Sequence, residues 1–139
     1  MVYYQQALVI SKQIGDRSGE SNSLNSIGGI YASQGQYPKA LDYFQQALVI
    51  SKQIGDRAGV GTTLNNIGAI YDSLGQYPKA LDFYQQALAM QKQIGDRSGV
   101  GTILSNIGRT YDSLGQYPKA LDFYQQALAM QKQIGDRSG

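Results

Sequence analysis

The chain of 139 residues contains no cysteine, no histidine and no tryptophan. Without thiols or imidazoles it has no disulfide, no thiol nucleophile, no Ser-His-Asp relay and no zinc site built on Cys or His. The lack of cysteine fits a reducing compartment, and cytoplasm is the default expectation. No apolar run approaches the roughly 20 residues that span a bilayer. The opening segment MVYYQQALVISKQ also lacks the basic stretch and long apolar run of a signal peptide. Charge of one sign is missing as well, with 12 basic and 10 acidic residues and a net of +2. That balance gives no electrostatic pull toward nucleic acid or an anionic membrane, and neither is expected as a partner.

What the chain has instead is repetition. The string QQAL begins at Gln5, Gln45, Gln85 and Gln125, a spacing of 40 residues each time. GQYPKALD begins at Gly35, Gly75 and Gly115, and the 29 residues Tyr71–Gly99 are identical to Tyr111–Gly139. Such identity implies recent duplication or deliberate engineering.

Two helical patterns alternate within each period. In the middle copy, helix A is expected over about Arg57–Leu74, with Val60, Leu64, Ile67, Tyr71 and Leu74 at steps of three and four. Gly75 is a natural left-handed stop, and Pro78 suits the first turn of a second helix. Helix B is expected over about Pro78–Ile94, with Ala80, Leu81, Tyr84, Ala87, Leu88 and Ile94 on one side. Gly95 ends it, and Asp96 can cap the next helix A. Connections this short make neighbouring helices antiparallel. The expectation is one all-α array of seven helices: a lone helix B in residues 1–16, then A–B pairs in 17–56, 57–96 and 97–139. Helix A is weak by propensity, because Gly59, Gly61 and Gly68 each cost up to ~1 kcal/mol relative to Ala. Its stability has to come from packing against the helices on either side, so an isolated repeat is expected to be unfolded.

Read from Leu64, the middle copy runs L-x-x-I-G-x-x-Y, then Gly75, Tyr77, Ala80-x-x-x-Tyr84 and Ala87-Leu88. This resembles the tetratricopeptide repeat consensus, W-x-x-L-G-x-x-Y … A-x-x-x-F, with Leu in place of the Trp. The other copies fit through Leu24, Ile27, Gly28, Tyr31, Ala40 and Phe44, and through Leu104, Ile107, Gly108, Tyr111, Ala120 and Tyr124. The resemblance implies a right-handed α-α superhelix with no enzymatic activity and no cofactor. The usual period is about 34 residues, so the 40-residue period resembles the long-repeat branch of Partner-of-Inscuteable-type adaptors and kinesin light chains. That branch implies a protein or peptide partner, held as an extended segment along the concave face.

In such superhelices the concave wall is made by helix A. The resemblance places there Asn22, Asn25, Gly29 and Ser33; Thr62, Asn65, Asn66, Ala69, Asp72 and Ser73; and Thr102, Ser105, Asn106, Arg109, Asp112 and Ser113. Their short polar side chains can hydrogen-bond a peptide backbone, and they also suit a face that is merely wet. A clamp for a C-terminal carboxylate would need cations at Asn25, Gly29, Asn66, Thr102 or Asn106, and those are missing. Arg109 breaks the repeat, standing where the other copies have Gly29 and Ala69; an ion pair with Asp72 or Asp112 is the favoured expectation. Helical-repeat RNA readers need a basic groove, and one Arg does not make one. Tyr31, Tyr71, Tyr111, Tyr37, Tyr77 and Tyr117 fall at core positions, and the acidic residues fall mostly at turns and outer faces, where capping and solvation explain them.

The alternative to a peptide-binding module is a structural or self-assembling array, engineered or natural, with no dedicated ligand. Neighbour-only packing leaves solenoid ends bare unless they are capped. Tyr3, Tyr4, Ala7, Leu8 and Ile14 at one end, and Leu121, Tyr124, Leu128 and Ile134 at the other, are expected to expose apolar surface. Such ends favour association between chains.

Overall fold

Glycine and aspartate write most of the helix boundaries. Gly15, Gly35, Gly55, Gly75, Gly95 and Gly115 all take φ near +70°, a left-handed conformation that L side chains resist. After Gly95 the Asp96 N–H reaches back to the Gln91 carbonyl at 3.0 Å, closing the end of one helix. The Asp96 carboxylate then accepts from the Gly99 N–H at 2.9 Å, opening the next, and Asp16 and Asp56 do the same for Gly19 and Gly59. At the other junctions Pro lies in the first turn of the B helices that follow Gln36 and Gln76.

A computed structural model describes residues 1–138, with side chains to residue 135. Among these residues it shows seven α-helices and no strand: α1 (Val2–Ile14), α2 (Arg17–Ser33), α3 (Tyr37–Gln53), α4 (Arg57–Ser73), α5 (Tyr77–Ile94), α6 (Arg97–Ser113) and α7 (Tyr117–Ser138). The A helices are α2, α4 and α6; the B helices are α1, α3, α5 and α7. The expected boundaries in the middle copy are met to within a residue. Gly139, where the expected third repeat ends, lies outside the described residues.

Each internal B helix is wedged between two A helices. Ala80, Tyr84 and Ala87 of α5 share one buried cluster with Val60 and Leu64 of α4 and with Ile103 and Ile107 of α6. Ala40 and Phe44 of α3 likewise meet Ile67 and Ile70 of α4. Fully burying one such aliphatic side chain contributes ~1.5–3 kcal/mol, so most of the stability resides between helices rather than within them. On the flank, an aromatic pair recurs in every copy: Tyr71 stacks on Phe83 with centroids 5.4 Å apart, and Lys79 Nζ stands 5.3 Å above the Tyr71 ring. Tyr31–Tyr43 under Lys39 and Tyr111–Phe123 under Lys119 repeat it.

Curvature follows from which helices meet their own kind. The A helices touch along the series, α2 with α4 and α4 with α6, whereas successive B helices do not approach one another among the described residues. The A side is therefore the inside of the bend. This is an all-α superhelical solenoid, as expected.

Two expectations need correction. Ala7 and Leu8 are half-buried rather than bare, Leu8 because it packs on the Leu24–Ala47–Ile50 cluster, and Ile134 is only partly exposed. The helix B bounds expected for the middle copy also do not carry over to the last one: α7 continues to Ser138, although its sequence matches that of α5, which ends at Ile94.

Candidate functional site

The inner wall is laced by side-chain amides and hydroxyls that bridge one A helix to the next. Thr63 Oγ1 on α4 donates to Asn25 Oδ1 on α2 at 3.1 Å. Asn106 Nδ2 on α6 donates to Asn65 Oδ1 on α4 at 3.0 Å, and Arg109 Nη2 donates to Asn106 Oδ1 at 2.6 Å. Asn106 thus uses both ends of its amide, leaving the Asn65 NH₂ group as a donor to the groove. Of the other expected groove residues, Asn22, Thr62 and Thr102 are exposed along the wall, and Asn66 and Ser105 are half-buried in it. Thr102 Oγ1 bonds back to the Ser98 carbonyl at 3.1 Å. Asp112 stands apart from this cluster, beside Tyr117, Leu121 and Tyr124 of the last helix.

The expected ion pair of Arg109 with Asp72 or Asp112 does not form. Among the described residues the ion pair within 4.0 Å is Arg17–Glu20, at 3.0 Å. The Asn106 carboxamide sits one turn back on the same helix and captures the guanidinium first. Arg109 still acts on Asp72 through its field. Burial pushes the Asp72 carboxyl above the ordinary carboxylate range, while the Arg109 charge and the nearby Thr110 hydroxyl pull it back. Removing that charge in Arg109→Ala should raise the Asp72 pKa further, read by NMR titration of its carboxyl carbon. Identical titration curves in the two proteins would contradict this.

Below the wall lies Tyr84, with 2 % of its surface exposed. Its phenol is pushed up to about 12, chiefly by burial and then by the Asp72 charge. Sequence reasoning treated Tyr84 only as core and passed over Thr63, Gln91 and Thr110, all buried polar residues. Their signal was comparison between copies: Thr63 stands where another copy has Ile103, and Thr110 where others have Ile30 and Ile70. Buried polar residues are thus spread along the array, with Ser11, Glu20, Ser21, Ser23 and Ser51 at its first repeat and Gln91 and Thr110 between the second and third.

Among the described residues no cluster of acidic, His or Cys side chains could hold a metal ion, and no helix is long and apolar enough to cross a membrane. A solenoid of paired helices with a variable polar inner wall defines a repeat scaffold of the kind that carries partners. The chain belongs to the tetratricopeptide repeat family, whose pattern matches residues 2–53, 19–93 and 59–133. Repeats of this family typically serve as non-enzymatic interaction scaffolds, and the match indicates no catalytic family.

Solved structures agree on the fold. Aspartyl phosphate phosphatase F from Bacillus subtilis superposes with a TM-score of 0.90 at 23% identity, over 96% of this chain and 35% of that one. A Rap protein complexed with competence and sporulation factor gives 0.89 at 21%, over 97% and 38%. The TPR domain of Arabidopsis FLU gives 0.78 at 24%, over 84% and 98%. BtubC (BKLC) from P. vanneervenii gives 0.85 at 22% identity over 96% of this chain, which spans 56% of that protein's length. Among curated proteins nothing matches.

Proposed function

We propose that the inner wall of α2, α4 and α6 binds an extended peptide segment of a protein partner. The observation that carries this is the contrast between wall and scaffold. Wall positions change from copy to copy (Gly29, Ala69, Arg109; Asn25, Asn65, Ser105), even between the second and third repeats, whose B helices are identical over residues 77–94 and 117–134. Contacts with a partner account for that variation along the wall. The amides lining it suit a peptide backbone, which offers one donor and one acceptor per residue. A relative in fold solved complexed with competence and sporulation factor supports a binding role, and the 40-residue period supports placement in the long-repeat branch. With helices packed ~10 Å apart, three repeats offer about 30 Å of groove, enough for roughly six to nine extended residues.

The test is selection from a phage-displayed random peptide library, on the parent and on a variant carrying Asn65→Ala, Asn66→Ala and Asn106→Ala. The parent should enrich a family of related peptides, and the variant, folded by circular dichroism, should bind them at least ~10-fold more weakly, a loss of about 1.4 kcal/mol. No enrichment, or equal binding by both proteins, would overturn the assignment.

The helices at either end support a second reading, self-association. Tyr117, Leu121 and Leu128 of α7 are 64%, 58% and 52% exposed, whereas the same residues in the identical α5 (Tyr77, Leu81 and Leu88) are half-buried. On α1, Val2, Tyr3 and Ile14 are 65%, 74% and 71% exposed. These faces favour contacts between copies, either like end to like end or head to tail. Light scattering over a concentration series should show a rising mass that Leu121→Glu reduces. A strict monomer at high micromolar concentration would rule it out.

A further inference from the structure

The copies are so alike that their departures carry information, and one pair of departures lies where helix B passes the start of helix A. In the first repeat, Ser51 of α3 is fully buried, its hydroxyl 2.9 Å from that of Ser21 on α2. Ser21 also bonds the Ala47 carbonyl at 3.2 Å, so this corner is satisfied internally. In the second repeat the same two places hold Gln91 on α5 and Gly61 on α4. The exchange is sterically coupled. A Cβ on residue 61 would stand 2.8 Å from Gln91 Oε1, so the longer amide uses the room that a side chain fills in the first repeat.

Hydrogen bonding is not preserved in the exchange. Gln91 is 5% exposed and its Oε1 has no hydrogen-bond partner, which is costly for a buried acceptor. The same side chain lines a polar pocket of about 250 Å³ between α4 and α6, together with Thr62, Asn65, Asp96, Ser98 and Thr102. The terminal torsion of Gln is broad and close to two-fold, so a half-turn presents either its oxygen or its nitrogen to the pocket.

We propose that this pocket receives the side-chain carboxamide of an Asn or Gln in the bound peptide, with Gln91 as its hydrogen-bonding partner; this rests on the groove assignment above. The lining offers donors and acceptors together. The Asn65 NH₂ is left over from its bond with Asn106, and the Thr102 hydroxyl oxygen keeps lone pairs after donating to Ser98. A carboxamide answers both kinds of group at once: its N–H donates to the Gln91 oxygen once the half-turn brings that atom to the pocket, and its own oxygen accepts from the Asn65 NH₂. An apolar side chain would leave the Gln91 oxygen unmatched and cover Asp96 and the hydroxyls. A carboxylate would meet the charge of Asp96. A cation would face the first-turn amides of α6, where the helix carries partial positive charge and Asp96 is already engaged as cap.

The pocket is tested first without any peptide, by NMR titration with N-acetyl-glutamine N-methylamide. The corresponding norleucine, glutamate and lysine compounds serve as controls. The glutamine compound should shift the Gln91 side-chain NH₂ and the Thr62 and Thr102 amides saturably, with roughly tenfold preference over the controls. The Thr62 and Thr102 shifts should vanish in Gln91→Met, which keeps length and removes the amide. Equal response to all four compounds, no saturable shift, or unchanged binding by Gln91→Met would overturn the proposal. The peptide library separates it from the groove assignment. Enriched peptides that bind the groove without Asn or Gln at a fixed position, and bind Gln91→Met as tightly, would sink the pocket and leave the groove standing. Peptides with a fixed Asn or Gln that lose about tenfold to Gln91→Met would support both.

Discussion

Gly68→Val should destabilise the fold by ~3 kcal/mol or more, the upper range for overpacking a core. Gly68 lies where α4 crosses α5. A Cβ there would stand 2.8 Å from two ring carbons of Tyr84 and 3.3 Å from the Ala80 carbonyl oxygen. Neither neighbour has room to yield, since Tyr84 is 2% exposed and the carbonyl belongs to helix backbone. Gly108 makes the same crossing with α7, where the Tyr124 ring would lie 2.9 Å away. Tyr124 is 37% exposed and can swing outward, so Gly108→Val should cost roughly half as much. Gly29 is the control: nothing lies within 4 Å of an added Cβ, and Gly29→Ala should gain up to ~1 kcal/mol from helix propensity alone. Urea denaturation of the three variants measures the series. Near-equal stabilities for Gly68→Val and the parent would show that the crossing is not close-packed.

Alkaline pH should strip stability from the parent that Tyr84→Phe retains. Phe44 holds the equivalent place between α3 and α4, so the substitution suits the fold. The phenol titrates near 10 when unfolded and at about 12 when folded. Between those values the unfolded chain releases a proton that the folded chain keeps, so rising pH favours unfolding. The contribution is intact below pH 10 and is lost as pH climbs to about 12. Two pH units correspond to ~2.7 kcal/mol; screening by water from the open groove lowers the expectation to ~1–2 kcal/mol. Every other residue is the same in the two proteins, so its contribution largely cancels in the difference. Stability differences between parent and Tyr84→Phe, taken from pH 9 to pH 12, should change by that amount toward Phe. A constant difference across the range would contradict it.

Helix positions were legible because the punctuation is local. Asp16, Asp56 and Asp96 precede glycines whose N–H groups they cap, and Gly75 and Gly95 stop helices through their own backbone. Such signals are carried by adjacent residues, so α1, α4 and α5 fall where periodicity put them. The end of α7 was not legible, because Gly135 has the same neighbours as Gly95 on both sides and no residue in the string tells the two apart. The wall was legible as a row of polar positions on helix A. The hydrogen bonds within it were not, because the choice of Asn106 over Asp72 by Arg109 is decided by angstroms across and along helices. Gln91 was hidden most completely. It sits in a QKQ string that reads as solvated surface, and only its pairing with Gly61 against Ser51 with Ser21 betrays a buried place.

The most direct measurement is the footprint of a library-selected peptide on the isotopically labelled chain, by backbone amide chemical-shift changes. Binding in the groove predicts that the perturbed amides follow the inner wall, through Asn22 and Asn25 on α2, Thr62 and Asn65 on α4, and Thr102, Asn106 and Arg109 on α6. Changes confined to the outer faces of α3 and α5, with the inner wall unmoved, would contradict it.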